Sequence, residues 1–486
     1  MQFLRQILPF LPLLLGLSEV LCDSWTDFTS LRREPPPPAP QTSRKSVIEG
    51  WIEQKLDHFN DSNNATYKMR FLANNQFYKP GGPIFIFVGG EWSISPGWVS
   101  GGHMYDMAKE LNGYLFYTEH RFYGQSHPTS DLSFENLQYL NVNQALADLA
   151  HFIRVKKQEI PGASSSGVIL VGASYSATMV TWFRQKYPEL ANGAWSSSAP
   201  LLAKTDFVEY YETVGESIKF VGGENCYNRI EKAFAEMERL VEIGDFETLS
   251  EKLNLCNKNQ RNQLDLWYLF KSLSGSLAGT VQYHKEGTIE RTCEIIMDDE
   301  NDIDGFAKYV KSVMNGCLTT NFNTFVERYR NTSWDSEVGE GNRQWLFQTC
   351  NEFGWYQTSG SANQPFGSNF PVELSYQACQ SIFSESFTKE TIDNNVNTTN
   401  LHHNGMKPNI TNVYSTHGHL DPWKRMGVQT DVNAESPAFV IPLASHCADL
   451  HSVSKDDSTE MLETKKRTTT LVKQWLDINS TLPKIF

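Results

Sequence analysis

The stretch GVILVGASYSATMVTWFRQKYPELANGAWSSSAP, residues 167–200, decides the fold class of this 486-residue chain. It begins with an apolar β-branched run at 168–171, which is typical of a buried strand. Small residues surrounding Ser174 follow, and a helical pattern over 178–187 then ends at Pro188, which lacks the N–H that a helix needs. A strand, a tight turn and a helix form the context of a nucleophile elbow, from which the Ser174 hydroxyl would project.

The same string has a simpler alternative reading, because G-x-S-x-small sequences are common by chance. The last position of the motif is Ser176 where the literal pattern has glycine. Serine is still small enough for a close turn, so the geometry of the elbow is preserved. The assignment of Ser174 therefore depends on partners elsewhere in the chain.

Two later loops offer the partners that a serine nucleophile needs. Asp421 lies in STHGHLDPW (415–423) and His446 lies in LASHCAD (443–449), each directly after a predicted strand. A serine hydroxyl is activated when a neutral imidazole takes its proton and a carboxylate orients the resulting imidazolium. The order Ser174, Asp421, His446 is that of the α/β-hydrolase fold. We predict this triad, with the backbone N–H groups of Tyr175 and Gly90 as oxyanion donors.

Each of these residues has an alternative role. Asp421 precedes a proline and would also serve as a turn former, and His446 would also fit as a core histidine. A metal site is the sharper rival, from His417, His419 and Asp421 or from His402 and His403. No HExxH motif or Cys/His spacing accompanies these residues, so we expect neither a catalytic metal nor a cofactor.

Composition limits the classes of partner. The formal net charge of −14 disfavours binding to nucleic acid or to an anionic membrane. Residues 1–22 resemble a secretory signal peptide, because Arg5 precedes an apolar core at 7–17 that is too short to cross a bilayer. No later segment reaches a membrane-spanning length without charges. Six N-x-Ser/Thr sequons fit the secretory pathway, and we expect a secreted or lysosomal glycoprotein: Asn60, Asn64, Asn331, Asn397, Asn409 and Asn479.

The chain divides into segments of different pattern. Residues 23–46 are proline-rich with two basic pairs and predict a linker or a removable pro-segment, an ordinary disordered terminus being the alternative. Residues 47–200 alternate short apolar strands with helices, which predicts a mostly parallel sheet with helices on both faces. Residues 201–385 have helical periodicity and predict a cap inserted into the α/β domain. Residues 386–486 complete that domain, with an Asn-rich loop at 394–409, strands at 412–416 and 438–443, and a helix at 468–478.

The cysteines add to this division. Of the eight, Cys22 falls at the edge of the signal peptide, and Cys447 is left over as a buried thiol or a partner in an unexpected bridge. The other six cluster in the cap and predict three disulfides among 15 pairings: Cys226, Cys256, Cys293, Cys317, Cys350 and Cys379.

The ordered set of motifs resembles the prolyl-exopeptidase family of serine peptidases, which includes lysosomal Pro-X carboxypeptidase, dipeptidyl peptidase II and thymus-specific serine protease. The matching stretches are KLDHF (55–59), PIFIFVGGE (83–91), EHRFYGQS (119–126), NVNQALADLAHFI (141–153), GASYS (172–176), SSSAP (196–200), LDPW (420–423) and SHCADL (445–450). Residues 342–359 and the Cys after His446 resemble the thymus-specific branch most.

The resemblance implies an α/β-hydrolase domain with a helical cap and the triad of Ser174, Asp421 and His446. It also implies three disulfides: Cys226–Cys293, Cys256–Cys317 and Cys350–Cys379. Trp423 would be an aromatic wall for a substrate proline, while Thr178, where proline-cleaving relatives place methionine, would make that pocket more polar. Cys447 replaces the second histidine of the carboxypeptidase, which argues against trimming of the C-terminal end.

We therefore expect a serine exopeptidase acting on short peptides, with dipeptidyl release after proline as the favoured form. The alternatives are carboxypeptidase-like trimming, an esterase or lipase on the same fold, and a catalytically silent binding protein. Short peptides are the expected partners, and a homodimer is the oligomer we consider.

Overall fold

A computed structural model describes residues 34–41, 46–257, 262–314 and 316–478. The predicted signal peptide, Cys22 and the Asn479 sequon lie outside these ranges. Within them, no helix combines the length and the apolar character needed to cross a membrane.

A central sheet organises the first and last parts of the chain. The described strands are β1 (Ile48–Lys55), β2 (Thr66–Asn74), β3 (Ile84–Val88), β4 (Tyr114–Thr118), β5 (Val168–Ala173), β6 (Gly193–Ser197), β7 (Lys204–Phe207), β8 (Gly354–Gln357), β9 (Val413–Gly418) and β10 (Ala438–Ile441). Eight of them form one sheet in the order β1-β2-β4-β3-β5-β6-β9-β10. All pairs from β4 to β10 are parallel, while β1 and β2 pair with each other and with β4 in the antiparallel sense.

Helices cover both faces of this sheet. The described helices outside the cap are α1 (His103–Glu110), α2 (Phe134–Leu137), α3 (Val142–Glu159), α4 (Tyr175–Lys186) and, at the end of the chain, α15 (Thr459–Trp475). Successive side chains of a strand point to opposite faces, and β3 shows the result. Ile84 and Ile86 join one apolar core with residues of α3 and α4, while Phe85 and Phe87 join another with residues of α1 and α15. The α/β-hydrolase architecture expected from the sequence is confirmed.

The insertion separates β6 from its neighbour β9 in the sheet. The chain leaves the sheet after Ser197 and returns at Val413. Between them lie α5 (Glu209–Gly222), α6 (Glu224–Glu242), α7 (Phe246–Leu253), α8 (Gln263–Gln282), α9 (Thr288–Met297), α10 (Asp302–Val313), α11 (Phe322–Arg330), α12 (Asn342–Gln348), α13 (Glu373–Ile382) and α14 (Lys389–His403). The parallel pair β7–β8 is also part of it and was not expected, because each of these strands has only four residues.

Three disulfides connect residues of the cap within the described ranges. They join Cys226 to Cys293, Cys256 to Cys317 and Cys350 to Cys379, the pairing that the family resemblance implies. Cys447 is a buried free thiol. Since the first two bridges close loops of 67 and 61 residues, they restrict the unfolded chain strongly.

The expected Asn-rich loop at 394–409 is wrong in its first half, which is helical. α14 extends to His403 and begins at a capping Thr388, whose hydroxyl accepts a hydrogen bond from the Thr391 N–H. Ile392, Val396, Thr399 and His403 are buried along one side of this helix. Their helical spacing outweighs the turn preference of the asparagines between them.

Part of the proline-rich segment lies against the α/β domain. Pro35 is buried, and its carbonyl accepts a hydrogen bond from the Trp98 indole. The Glu34 carboxylate accepts hydrogen bonds from the Ser95 N–H and the Tyr117 hydroxyl. The glycine at 97 makes room, since a Cβ there would lie 2.3 Å from Pro37. Whether processing removes this segment stays a prediction.

Candidate active site

Ser174 lies in a strained turn between β5 and α4. Its backbone has φ 55° and ψ −128°, a conformation that non-glycine residues rarely adopt. Two backbone hydrogen bonds hold the turn. The Ser174 N–H donates to the Ser197 carbonyl of β6 at 2.9 Å, and the Ser174 carbonyl accepts from the Ala177 N–H. This is the strand–turn–helix geometry of a nucleophile elbow.

Two small residues close the turn around Ser174. A Cβ at Gly172 would lie 2.4 Å from the Ser176 carbonyl oxygen, so only glycine fits there. The Ser176 hydroxyl is within 2.9 Å of both the N–H and the carbonyl of Ala173. Ser176 therefore ties the start of α4 back to the end of β5, which explains how serine fits where the literal motif has glycine.

Asp421 and His446 form a buried hydrogen-bonded pair. The His446 Nδ1 lies 2.9 Å from Asp421 Oδ1, and the same oxygen accepts the Trp423 N–H at 2.9 Å. Burial disfavours the His446 imidazolium, but Asp421 and Cys447 together outweigh burial and raise the pKa of His446 well above its usual value. Burial likewise opposes ionisation of Asp421, but His446, His417 and the Trp423 backbone N–H together outweigh it, and the pKa of Asp421 is lowered. The carboxylate thus fixes the ring and favours its charged form.

The loop that carries His446 is attached to two neighbouring strands. The Cys447 N–H donates to the Ser198 hydroxyl at 2.9 Å. Asp449, two residues further on, accepts hydrogen bonds from the Ser197 hydroxyl of β6 at 2.5 Å and from the Thr416 hydroxyl of β9 at 2.6 Å. These bonds hold the His446 loop at the carboxyl ends of the strands, where sheets of this type place their sites.

The three residues of the predicted triad lie at this same edge of the sheet. The Ser197 carbonyl that accepts the Ser174 N–H also accepts the Cys447 thiol, with a Sγ–O distance of 3.7 Å. His446 directly precedes Cys447. In the described part of the chain the Ser174 hydroxyl makes no side-chain hydrogen bond, and such contacts often tighten only when substrate is bound.

The expected oxyanion donors flank the elbow. Tyr175 is the first residue of α4, and the first N–H groups of a helix have no partner within that helix. Its phenol oxygen lies 3.0 Å from the Gln348 carboxamide nitrogen and 3.2 Å from the His120 ring, and these contacts hold the side chain in place. Gly90 follows β3, and a Cβ there would lie 2.6 Å from the Trp92 ring. Only glycine therefore fits at this position of the crowded loop.

The two expected pocket residues differ in their surroundings. Trp423 packs against Trp355, with ring centroids 5.9 Å apart, and its indole N–H donates to the Gln282 carboxamide oxygen at 3.0 Å. Thr178 is fully buried, and its hydroxyl donates to the Pro200 carbonyl at 2.8 Å. The polar group of Thr178 is thus occupied within the protein, while Trp423 lines a cavity.

His417 is a buried residue of the site that the sequence presented only as a rival metal ligand. Its Nδ1 lies 4.0 Å from Asp421 Oδ2, and neither ring nitrogen has a hydrogen-bond partner in the described residues. Burial lowers the pKa of His417 to about 4, so the ring is neutral at physiological pH. A search of the described ranges finds no cluster of three or more His, Cys, Asp or Glu side chains suited to a metal.

Known proteins resemble this chain over most of its length. The chain is 32% identical to the thymus-specific serine protease of Mus musculus, over 88% of this chain and 87% of that protein. It is 29% identical to the lysosomal Pro-X carboxypeptidase of Bos taurus, over 88% and 87%. The proline iminopeptidase of Mycobacterium smegmatis matches in structure with a TM-score of 0.38 and 10% identity, over 88% of this chain and 98% of that one.

The family resemblance drawn from the sequence is confirmed by a family model. That model matches residues 54–468, which include all three triad positions and the whole cap. The chain therefore belongs to the family described as serine carboxypeptidase S28, a family of serine peptidases.

Proposed function

We propose that this protein is a serine exopeptidase that cleaves short peptides with Ser174, Asp421 and His446. His446 takes the proton of the Ser174 hydroxyl as the oxygen attacks the peptide carbonyl, and then delivers it to the leaving amine. Water hydrolyses the acyl-enzyme through the same ring, again acting as a base. The N–H groups of Tyr175 and Gly90 stabilise the oxyanion in both steps.

The observation that carries this proposal is the hydrogen bond of 2.9 Å between His446 and Asp421, at the sheet edge where the Ser174 elbow also lies. A structural Asp–His pair has no need of a strained serine beside it. The strain at Ser174 costs on the order of 1–3 kcal/mol, which is typical of a functional site.

The cap supports action on chain ends. Gln282, the last residue of α8, accepts two hydrogen bonds. Its backbone carbonyl accepts from the His446 backbone N–H, and its side-chain oxygen accepts from the Trp423 indole N–H. The Tyr210 hydroxyl of α5 donates to the same side chain at 2.8 Å. Cap residues therefore contact His446 directly, and we expect this wall to admit a peptide end more readily than a folded protein.

The form of exopeptidase that we favour is release of dipeptides after proline, with Trp423 as the wall of the proline pocket. C-terminal trimming is the alternative, as in the carboxypeptidase that the chain resembles. Cys447 replaces the second histidine of the carboxypeptidase, and its thiol approaches the Ser197 carbonyl, which argues against this alternative. An esterase or a silent binding protein remain the rivals from other classes.

A secreted or lysosomal location is part of the proposal. The carboxypeptidase relatives are named as lysosomal, and five of the six sequon asparagines lie in the described residues and are exposed: Asn60, Asn64, Asn331, Asn397 and Asn409. Glycan release followed by mass measurement of the secreted protein tests their occupancy. Light scattering of the same sample tests the proposed homodimer.

A peptide library with mass readout tests the proposed reaction. Peptides with free or blocked ends are incubated with the enzyme at pH 5 and pH 7.5, and a panel of acyl esters is assayed in parallel. The proposal predicts loss of two residues from a free N-terminus, most rapidly when proline is second. Cleavage of esters alone, or cleavage in the middle of long chains, would contradict it.

A further inference from the structure

A cavity of about 50 Å³ lies between the cap and the α/β domain. Three tryptophan side chains, Trp345, Trp355 and Trp423, form most of its apolar lining, and Lys271 and Ser375 contribute the polar groups used below. A volume of this size holds a few water molecules or a small side chain. The cavity is thus a small aromatic compartment with a cation in its wall.

This compartment borders both parts of the proposed catalytic machinery. The Trp345 ring lies 5.5 Å from the ring of Tyr175, the residue after the nucleophile. Trp423 is two residues after Asp421, and its backbone N–H donates to the Asp421 carboxylate. A group of the substrate that enters the cavity is therefore close to the bond under attack.

Lys271 of α8 is a buried lysine without an anionic partner. The residue is only 7% exposed. Its Nζ donates hydrogen bonds to two oxygens of Gln357, the backbone carbonyl and, at 3.4 Å, the side-chain carboxamide. Among the residues that the structure describes, no carboxylate pairs with Lys271, and the Tyr211 ring lies 5.2 Å from its Nζ. Buried charges are normally paired, so an unpaired lysine facing a cavity calls for an external partner.

The neighbouring polar groups fit the same conclusion. The Ser375 hydroxyl lines the cavity and makes no hydrogen bond within the described ranges. The titratable groups facing Lys271 are Tyr211 from α5 and Tyr356 from β8, and burial raises the pKa of both phenols, which stay neutral. An incoming anion would thus meet one cation, one hydroxyl and no competing negative charge.

We propose that the Lys271 cavity is a substrate subsite that binds a carboxylate, with the three indole rings packing on the carbon chain that carries it. This inference rests on the proposed peptidase function and specifies its substrate class. Two sources supply the group: the side chain of a Glu or Asp next to the cleaved bond, or the free end of a short peptide. The lysine ammonium would donate charge-assisted hydrogen bonds to either.

Paired peptides test the subsite and separate its two sources. One pair differs only in Glu or Gln beside the cleaved bond and has an amidated C-terminus. The other has neutral side chains and differs only in a free or amidated C-terminus. Wild-type enzyme should prefer the carboxylate in one pair by about 10- to 100-fold in kcat/KM, the range expected for a hydrogen bond to a charged group. Preferences under threefold in both pairs would overturn the inference.

The variant Lys271→Met should bring this ratio close to one, while Lys232→Met, an exposed lysine of α6 in the same cap, should keep it. A Lys271→Met enzyme that retains the ratio would refute the role of the lysine. Labelling of the variant by a fluorophosphonate reports whether its serine site is intact. If the wild-type enzyme cleaves no peptide, the proposed peptidase function is contradicted. If it cleaves both peptides of each pair equally well, only the proposed subsite is contradicted.

A test on the wild-type enzyme alone covers the case in which the variant does not fold. Burial lowers the pKa of Lys271 to about 7, so the ammonium is present below this pH and is lost above it. The preference for the carboxylate peptide should therefore weaken as the pH rises from 6 to 8.5. The neutral peptide of each pair serves as the reference at every pH, so that titration of His446 cancels. A ratio that stays constant or rises over this range would overturn the inference.

Discussion

The substitution Asp421→Asn removes the charge that supports His446 while preserving the shape of the side chain. Asp421 is fully buried, and its Oδ1 is 2.9 Å from the His446 ring. Opposite charges about 4 Å apart, at an effective dielectric constant of 20, attract by about 4 kcal/mol. The His446 imidazolium forms in the transition state. Loss of its attraction to the Asp421 carboxylate should therefore lower kcat/KM by about a thousandfold.

The pH profile gives a second readout of the same change. The free enzyme needs a neutral His446, and Asp421 raises the pKa of that ring, so activity should fall as the pH drops through this raised pKa. In Asp421→Asn the pKa of His446 falls, and the acid limb of kcat/KM should move to lower pH. The assay is peptide hydrolysis from pH 4 to pH 9, with Asp335→Asn, an exposed aspartate, as the control. A loss below tenfold with an unmoved acid limb would refute the reasoning.

Three further changes test the fold around the site. Gly172→Ala places a Cβ 2.4 Å from a backbone oxygen and should abolish peptide hydrolysis. The control Gly275→Ala, whose Cβ would have no atom within 4 Å, should leave hydrolysis intact. Equal rates of hydrolysis in the two variants would be inconsistent with a glycine-dependent elbow. Replacing Cys226 and Cys293 by alanine opens a loop of 67 residues and should lower the free energy of unfolding by about 4 kcal/mol in denaturant titration, an unchanged midpoint arguing against this. Burial raises the pKa of Glu352 to about 8, so the folded state keeps a proton that the unfolded state loses above pH 4.5. Stability should fall by at most about 5 kcal/mol as the pH rises from 4.5 to 8, and thermal unfolding of Glu352→Gln should lack that part of the decline; parallel curves for the two proteins would contradict it.

The sequence predicted the α/β part of the fold well, because its parallel strands are short, apolar and buried on both faces. The strands predicted at 168–171 and 412–416 occur as Val168–Ala173 and Val413–Gly418. The antiparallel strands β1 and β2 were missed, and in β1 only Ile52 and Gln54 are buried, so the apolar signal of a strand is weak there. Each presents one face to solvent and gains its stability from pairing.

The helical insertion was predicted, but the position of α14 was not. Local composition at 394–409 favours turns, and the burial of Val396 and Thr399 against the rest of the cap outweighs it. Tertiary packing of this kind is absent from any short window of sequence, which explains the error.

The candidate triad could be proposed from motif order, whereas its supporting residues could not. Asp449 binds hydroxyls on two strands that are more than 30 and 250 residues away along the chain, and the isolated sequence offers no sign of these contacts. Lys271 reads as an ordinary solvent-exposed lysine of a helix until the structure places it in the wall of a cavity. Such roles depend on long-range contacts, so only coordinates reveal them.

The most direct test of the central claim is identification of the residue that reacts with a fluorophosphonate. The enzyme is labelled, digested and analysed by mass spectrometry, alongside Ser174→Ala with its thermal unfolding measured to establish that it is folded. The account predicts a single adduct on the peptide containing Ser174 and no labelling of the folded variant. An adduct on a different serine, or undiminished labelling of Ser174→Ala, would contradict it.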